Sequence, residues 1–281
     1  MGLTSVVEVV FYGVRGSCPC PSEGTRRYGG NTACVAVNAP GESPIIFDLG
    51  TGLRAFGDSQ PLDGSFAGTA LVSHIHWDHV QGLPFFPPAD RFGARLDVYG
   101  PPPGDLGLEK AIDALICPPY FPVTISDLRG TYSFHEVYHD ELQVGGANVT
   151  VRPVPHCGPT VGYRVSLHGR VVTYISDHQA PPDLMSIDPG VIELARGADL
   201  LIHDAQYTPE EFSEKSDWGH CTVQYALGVA RASGAKRIAL FHHDPSHGDE
   251  LLDALVDEAA RLAGSSGPEV IGAFEGLRIS L

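Results

Sequence analysis

The sequence predicts an α/β protein with mixed sheets, organised as one domain over residues 1–281. Three observations predict it. Apolar, β-branched stretches come first in a run and then alternate with helical ones, twice over. Glycine (33) and proline (23) supply about a fifth of the 281 residues, which favours many short elements joined by tight turns. No internal repeat, low-complexity linker or composition break divides the chain.

Segments 6–12, 33–38 and 43–47 are bounded by Gly, Pro or Asn and read as strands. Segment 70–73 is a short buried strand that stops at His74, and 96–99 is another, closed by Gly100-Pro101-Pro102-Pro103. The spacing of Leu108, Ile112 and Leu115 predicts a helix over 106–116. From 143 to 177 the pattern is a β-meander, with strands at 147–154, 161–167 and 171–176. The His168-Gly169 pair turns between the last two. A helix over 191–196 and a buried strand over 199–203 follow. The next helix, 222–233, has Thr222 as N-cap and Gly234 as its stop. A strand over 237–241, an amphipathic helix over 247–262 and a final strand over 276–281 complete the chain.

Composition narrows the function classes. With 18 Lys and Arg against 34 Asp and Glu the formal charge is −16, which argues against a broad electrostatic grip on a polynucleotide backbone. Phosphate chemistry stays open, because bound cations supply positive charge locally. No apolar run approaches the roughly 20 residues that span a bilayer, so no membrane partner is expected. The first residues lack a basic leader, and Val6 stands where a myristoylation motif needs Ser or Thr, so the expected compartment is the cytoplasm. Six cysteines, at 18, 20, 34, 117, 157 and 221, show no metal-knuckle spacing and read as reduced thiols.

Histidine carries the signal. Ser73-His74-Ile75-His76-Trp77-Asp78-His79 places four potential metal ligands in six positions directly after a buried strand. An extended segment projects His74 and His76 to one side, and Asp78 and His79 follow where the chain must turn. A lone histidine is most often a surface or core residue; four potential ligands this close point to a metal site. Further along, Val154-Pro155-His156 lies at a strand end, Tyr174-Ile175-Ser176-Asp177 ends a strand in a carboxylate, and Leu240-Phe241-His242 ends one in an imidazole. His156 alone could sit in a turn, and Asp177 could cap one, but a carboxylate at a buried strand end needs a partner that a cation supplies. His243 and His247 rival His242. His178 reads as lying behind the ligands or facing solvent, while His135, His139 and His168 read as ordinary loop or strand residues.

These motifs, in this order, resemble those of the metallo-β-lactamase-fold hydrolases, over essentially the whole chain. The resemblance implies a four-layer αββα sandwich with ligands on strand-end loops along one edge. It implies a first metal on His74, His76 and His156, a second on Asp78, His79 and His242, and Asp177 bridging them; its Leu-x-His position selects His242. Two divalent ions are implied, zinc first by the nitrogen and carboxylate donors, with manganese or iron as alternatives. The superfamily's true β-lactamases carry Cys where this chain has Asp177, which points toward the phosphodiesterase branch. Leu201-Ile202-His203-Asp204-Ala205 with Asp217-Trp218-Gly219-His220-Cys221-Thr222 also resembles the paired signature of the ribonuclease Z and cyclic phosphodiesterase group, with Asp204 for the usual Glu and Cys221 for Ser. An acid that orients a histidine makes it a good proton donor to a leaving oxygen; the alternative is that His220 merely precedes the helix cap.

The reading is a metal-dependent hydrolase with a dinuclear centre, acting on a small cyclic phosphodiester such as a cyclic nucleotide or a phosphoribosyl cyclic phosphate. Asp78, His220 and Asp204 are its catalytic residues. The rivals are a ribonuclease Z-like RNA 3′-processing endonuclease, an ester, thioester or lactone hydrolase on the same metals, and a non-catalytic metal-binding module. Between residues 79 and 156 no basic cluster appears, and with the net charge this argues against tRNA as a partner. Loop 13–32 reads equally as part of the site or as a turn-rich connection. Pro84-Phe85-Phe86-Pro87-Pro88 reads as core packing, a substrate wall or the contact of a homodimer.

Overall fold

Two sheets face each other across an apolar core in the computed structural model, which describes residues 6–281. The leader and lipidation readings rest on residues 1–5 and lie largely outside that range. In the first sheet the chain runs through β1 (Glu8–Gly13), β2 (Cys34–Asn38), β3 (Ile45–Phe47), β4 (Ala67–Leu71), β5 (Arg95–Gly100) and β6 (Thr131–Glu136). The second is built from β7 (Asp140–Val144), β8 (Ala147–Pro153), β9 (Val161–Leu167), β10 (Arg170–Ile175), β11 (Leu200–Asp204), β12 (Arg237–Phe241) and β13 (Glu269–Gly272). The last strand, β14 (Arg278–Ser280), returns to the first sheet and pairs antiparallel with β1, Val9 opposite Ile279. Strand order is β14-β1-β2-β3-β4-β5-β6 in one sheet and β13-β12-β11-β10-β9-β8-β7 in the other. The predicted meander is present as β8 to β10 in consecutive antiparallel pairs, and β7 extends it by one more antiparallel strand.

Helices cover the outer faces. Alternation along the central strands explains why: Leu200 and Ile202 of β11 and Ala239 and Phe241 of β12 join the core between the sheets. Leu201, Ile238 and Leu240 point the other way, into a core shared with α4 (Pro189–Ala195), α6 (Val223–Ser233) and α7 (Asp249–Ala263). In the first sheet Val35 and Val37 face inward, while Cys34, Ala36 and Ile46 pack under α1 (Leu53–Gly57) and α3 (Leu108–Leu115). Strands buried on both faces read as continuous apolar runs, so the sequence exposed them. The four-layer αββα sandwich is observed. Across its middle Phe47 stacks on Tyr174 with ring centroids 4.7 Å apart, and the Tyr163 hydroxyl donates to the Val72 carbonyl at 2.7 Å.

Three strands escaped the sequence pattern: β6, β7 and β13. All are sheet edges. Thr131–Glu136 and Asp140–Val144 are half-buried or exposed throughout, because an edge strand is kept polar on its open side. The short helices α1, α2 (Trp77–Val80) and α5 (Pro209–Glu214) were also missed. The α6 boundaries match the prediction: Thr222 accepts from Tyr225 N and Gly234 closes the helix at φ +68°. Among the described residues no helix is long and apolar enough to cross a membrane.

Candidate metal centre

The residues of the proposed site lie on loops, a short helix or a strand end at one edge of the sandwich. Ser73–His79 follows β4, His156 follows β8, Asp177 follows β10, Asp204 ends β11 and His242 follows β12. Because β10, β11 and β12 are parallel neighbours, their C-terminal ends deliver Asp177, Asp204 and His242 side by side.

Two clusters result. In the first, His74 Nε2 lies 2.8 Å from His76 Nδ1, which lies 3.3 Å from His156 Nε2. In the second, His242 Nε2 is 3.1 Å from Asp78 Oδ2 and 3.3 Å from His79 Nε2, and Asp78 Oδ2 is 3.1 Å from His79 Nε2. Each trio meets the spacing that could hold a metal ion. The carboxylate of Asp177 divides between them. Its Oδ1 lies 3.7 and 3.6 Å from the His74 and His156 nitrogens, and its Oδ2 3.3 and 3.4 Å from those of His79 and His242.

The donors fit divalent cations. Asp177 Oδ2 is buried and has no hydrogen-bond partner among the described residues, a costly state for a carboxylate unless a cation faces it. Burial opposes charge on Asp177, yet the surrounding His242, His79, His74 and His156 hold its pKa well below the usual carboxylate range. His74 is pushed well below the ordinary imidazole value by burial and then by neighbouring His79, which keeps its ring neutral as a ligand must be.

Outer contacts fix the tautomers. His79 donates from Nδ1 to Asp48 Oδ2 at 2.7 Å, His242 from Nδ1 to the Gln206 side-chain oxygen at 2.8 Å, and His156 from Nδ1 to the Gly219 carbonyl at 2.7 Å. With Nδ1 so engaged, each ring offers Nε2, the nitrogen turned toward its cluster, as the ligand atom. The backbone is shaped to the same end. His242, Asp48 and Ser17 adopt φ of +58°, +56° and +63°, conformations that non-glycine residues hold only when their surroundings impose them. A Cβ on Gly16 would stand 2.4 Å from the His242 ring, so only glycine lets loop 13–32 close over that imidazole. Ser17 N–H donates to Asp78 Oδ2 at 2.7 Å. Arg15, buried, ties the loop to the carbonyls of Gly29, Asp244 and His247. The loop is therefore part of the site.

His220 and Asp204 meet as a pair: Nδ1 lies 3.0 Å from Asp204 Oδ2. Burial disfavours a charged His220, but the charge and hydrogen bond of Asp204 outweigh it and raise the pKa above the ordinary value. The same nitrogen is 3.8 Å from Asp177 Oδ1, so His220 stands at the wall of the centre. His243 points elsewhere: its Nε2 is 2.9 Å from the Ala273 carbonyl, and burial pushes its pKa down to about 3. His178 is buried, against the solvent-facing option. Phe86 of the proline-flanked segment belongs to the core, where it stacks on Phe56, while Phe85 is exposed.

Sequence reasoning missed Asp48 and Gln206. For Asp48 a signal existed, since Phe47-Asp48-Leu49 places a carboxylate at a buried strand end, as at Asp177. Gln206 carried none.

Comparison with known proteins places these features in context. The model of the beta-lactamase superfamily domain matches residues 45–243. A ribonuclease Z of Methanothermobacter thermautotrophicus is 24% identical over 283 residues, covering 84% of this chain and 86% of the relative. Among solved structures, the metallo-beta-lactamase fold protein YhfI from Bacillus subtilis superposes with a TM-score of 0.75 at 19% identity, over 99% of this chain and 100% of that one. The short form of human tRNase Z gives 0.69 at 21% identity, over 97% and 98%. These relatives overturn the expectation that tRNA is not a partner. That expectation came from net charge and a missing basic cluster, and a whole-chain charge sum says little about the field at one site where cations can be held.

Proposed function

Since the chain belongs to the beta-lactamase superfamily, we propose that it is a metal-dependent phosphodiesterase whose centre comprises His74, His76, Asp78, His79, His156, Asp177 and His242. The observation that carries this is the division of the Asp177 oxygens between two ligand trios, with an acid–histidine pair beside them. Two divalent ions, zinc by the donor set, would polarise the phosphoryl oxygens and lower the pKa of the attacking water. The protein's own groups do the rest. Asp204 holds His220 by Nδ1, so the imidazolium can deliver its other proton, on Nε2, to the departing oxygen. Ser17 N–H, Asp48 and Gln206 hold Asp78, His79 and His242 in place, so that no side chain must reorganise as charge develops.

The substrate we favour is a small cyclic phosphodiester, and a cavity of about 690 Å³ whose wall includes His156 has room for one. RNA 3′-end cleavage is a second reading, supported by the ribonuclease Z relatives. Pairing of β1 with β14 supports treating residues 1–281 as one domain. Metal-loaded protein assayed on bis(p-nitrophenyl) phosphate, 2′,3′- and 3′,5′-cyclic nucleotides, phosphoribosyl cyclic phosphate, a 3′-extended tRNA and acyl esters tests the proposal. Turnover of a diester is expected. Preference for the extended tRNA over every cyclic diester would select the second reading, and preference for acyl esters by orders of magnitude would reject both.

A further inference from the structure

The chemistry above leaves Trp77 and the exposed Phe85 unused. Trp77 stands between the ligands His76 and Asp78, at the start of α2. Along that helix Asp78 and His79 turn inward to the centre, while Trp77, Val80 and Gln81 line a separate slot of about 250 Å³. Residues one, four and five of a helix share a face, which is why one turn can serve both. Ile112 and Leu115 of α3 form another wall, and Phe85 meets Phe121 edge to face with ring centroids 5.7 Å apart. Three large side chains of this slot stay open to water: Trp77 is 64% exposed, Phe85 57% and Tyr120 79%. Single apolar residues on a surface need no explanation, but three around one concavity mark a binding site.

The walls define the occupant. Among the described residues no acidic or basic side chain lines the slot, and the Gln81 amide already donates to Thr32 Oγ1 at 3.4 Å. Four aromatic rings suit a planar ring, and the volume exceeds the roughly 150 Å³ that takes benzene. A contact between two copies needs a broad face of about 800 Å² on each, whereas this is a narrow concavity. Its place ties it to the metals. Consecutive Cα atoms are about 3.8 Å apart, so Trp77 is one residue from a ligand in each trio, and the neighbouring His76 is itself exposed. We propose that this slot is the subsite for a nucleobase of the phosphodiester, stacked on Trp77 and Phe85, and that these two residues determine specificity. A nucleobase is the class that joins a planar ring to a phosphodiester, and stacking on aromatic side chains accepts any base. The proposal rests on the phosphodiesterase reading and serves a cyclic nucleotide and an RNA end alike.

The test compares zinc-loaded wild type and Phe85→Ala on two esters with the same leaving group, thymidine 5′-(p-nitrophenyl phosphate) and methyl p-nitrophenyl phosphate. Phe85 is exposed, so its truncation opens no core cavity. The ratio of kcat/KM, thymidine ester over methyl ester, should fall about 5- to 100-fold, the effect of losing one stacked base, chiefly through KM. An unchanged ratio overturns the proposal. Fluorescence reads binding without turnover, since Trp77 and Trp218 are the two tryptophans of the chain. In Trp218→Phe, thymidine 5′-monophosphate should quench the Trp77 emission and inorganic phosphate should not. In Trp77→Phe the nucleotide should leave the Trp218 emission unmoved. Equal quenching of Trp77 by both probes, or by neither, overturns the subsite. Quenching by the nucleotide alone, with neither ester hydrolysed, would keep the slot and reject the hydrolytic reading. A wild-type dimer that Phe85→Ala splits into monomers would give the slot to a second copy and overturn the proposal.

Discussion

Asp48→Asn isolates a contact that sets the second ligand trio without belonging to it. The Asp48 carboxylate is fully buried. Its Oδ2 accepts from His79 Nδ1 at 2.7 Å, Ser73 Oγ at 2.9 Å and the Tyr174 hydroxyl at 2.7 Å, while Oδ1 accepts from Ser73 N at 2.7 Å. An amide has only one oxygen. If it replaces Oδ2, the NH2 group confronts Ser73 N–H; in the other orientation it confronts three donors. The cheaper arrangement leaves a buried donor unpaired and removes the charge from three bonds. With about 1–3 kcal/mol for the unpaired donor and a further loss from the weakened bonds, the expected destabilisation is about 2–4 kcal/mol. His79 also loses the anion that orients it, so affinity for the ion on Asp78, His79 and His242 should fall about 10–100-fold. Urea unfolding of the metal-free variant measures the first effect, and titration against a chromophoric chelator the second. Binding at the His74, His76 and His156 trio should suffer less. Stability within about 0.5 kcal/mol of wild type, with two unaltered metal affinities, would refute the reasoning.

Asp177→Ala should cost both ions and all hydrolysis, because each oxygen faces a different trio; two retained ions with normal turnover would end the bridging assignment. His79→Ala and His242→Ala should show matching defects for one ion in metal titrations, whereas His243→Ala should keep both, its Nε2 being bonded to Ala273. His220→Ala should retain metal while turnover falls roughly 10²–10⁴-fold. That loss should shrink on bis(p-nitrophenyl) phosphate, whose leaving group needs little protonation; loss of metal instead would make His220 a ligand. Burial lowers the His203 pKa below its ordinary value near 6.5, so the neutral ring's contribution to stability is complete above about pH 6.5 and lost as the pH falls. The stability gap between wild type and His203→Asn should therefore narrow between about pH 7.5 and 5.5 in urea unfolding, and a widening gap would contradict it.

What the sequence determined by itself is what local chemistry and period encode. His74, His76, Asp78 and His79 are legible because one strand end and one helical turn place them together. The central strands β2, β4, β11 and β12 are legible because burial on both faces leaves an apolar run, and α6 because its cap and its stop are residues in the chain. Only the tertiary structure decided the rest. Edge strands β6, β7 and β13 exist because a neighbour offers hydrogen bonds, and their own residues are too polar to announce it. His242, not His243, is turned into the cluster with Asp78 and His79, by a left-handed backbone and by Gln206, 36 positions away. Asp48 reaches Tyr174 across 126 residues, and His156 reaches the Gly219 carbonyl across 63. A ligand's type is written where it stands, but its tautomer and aim come from whatever the fold brings against its other nitrogen, and periodicity carries no record of a partner so far along the chain.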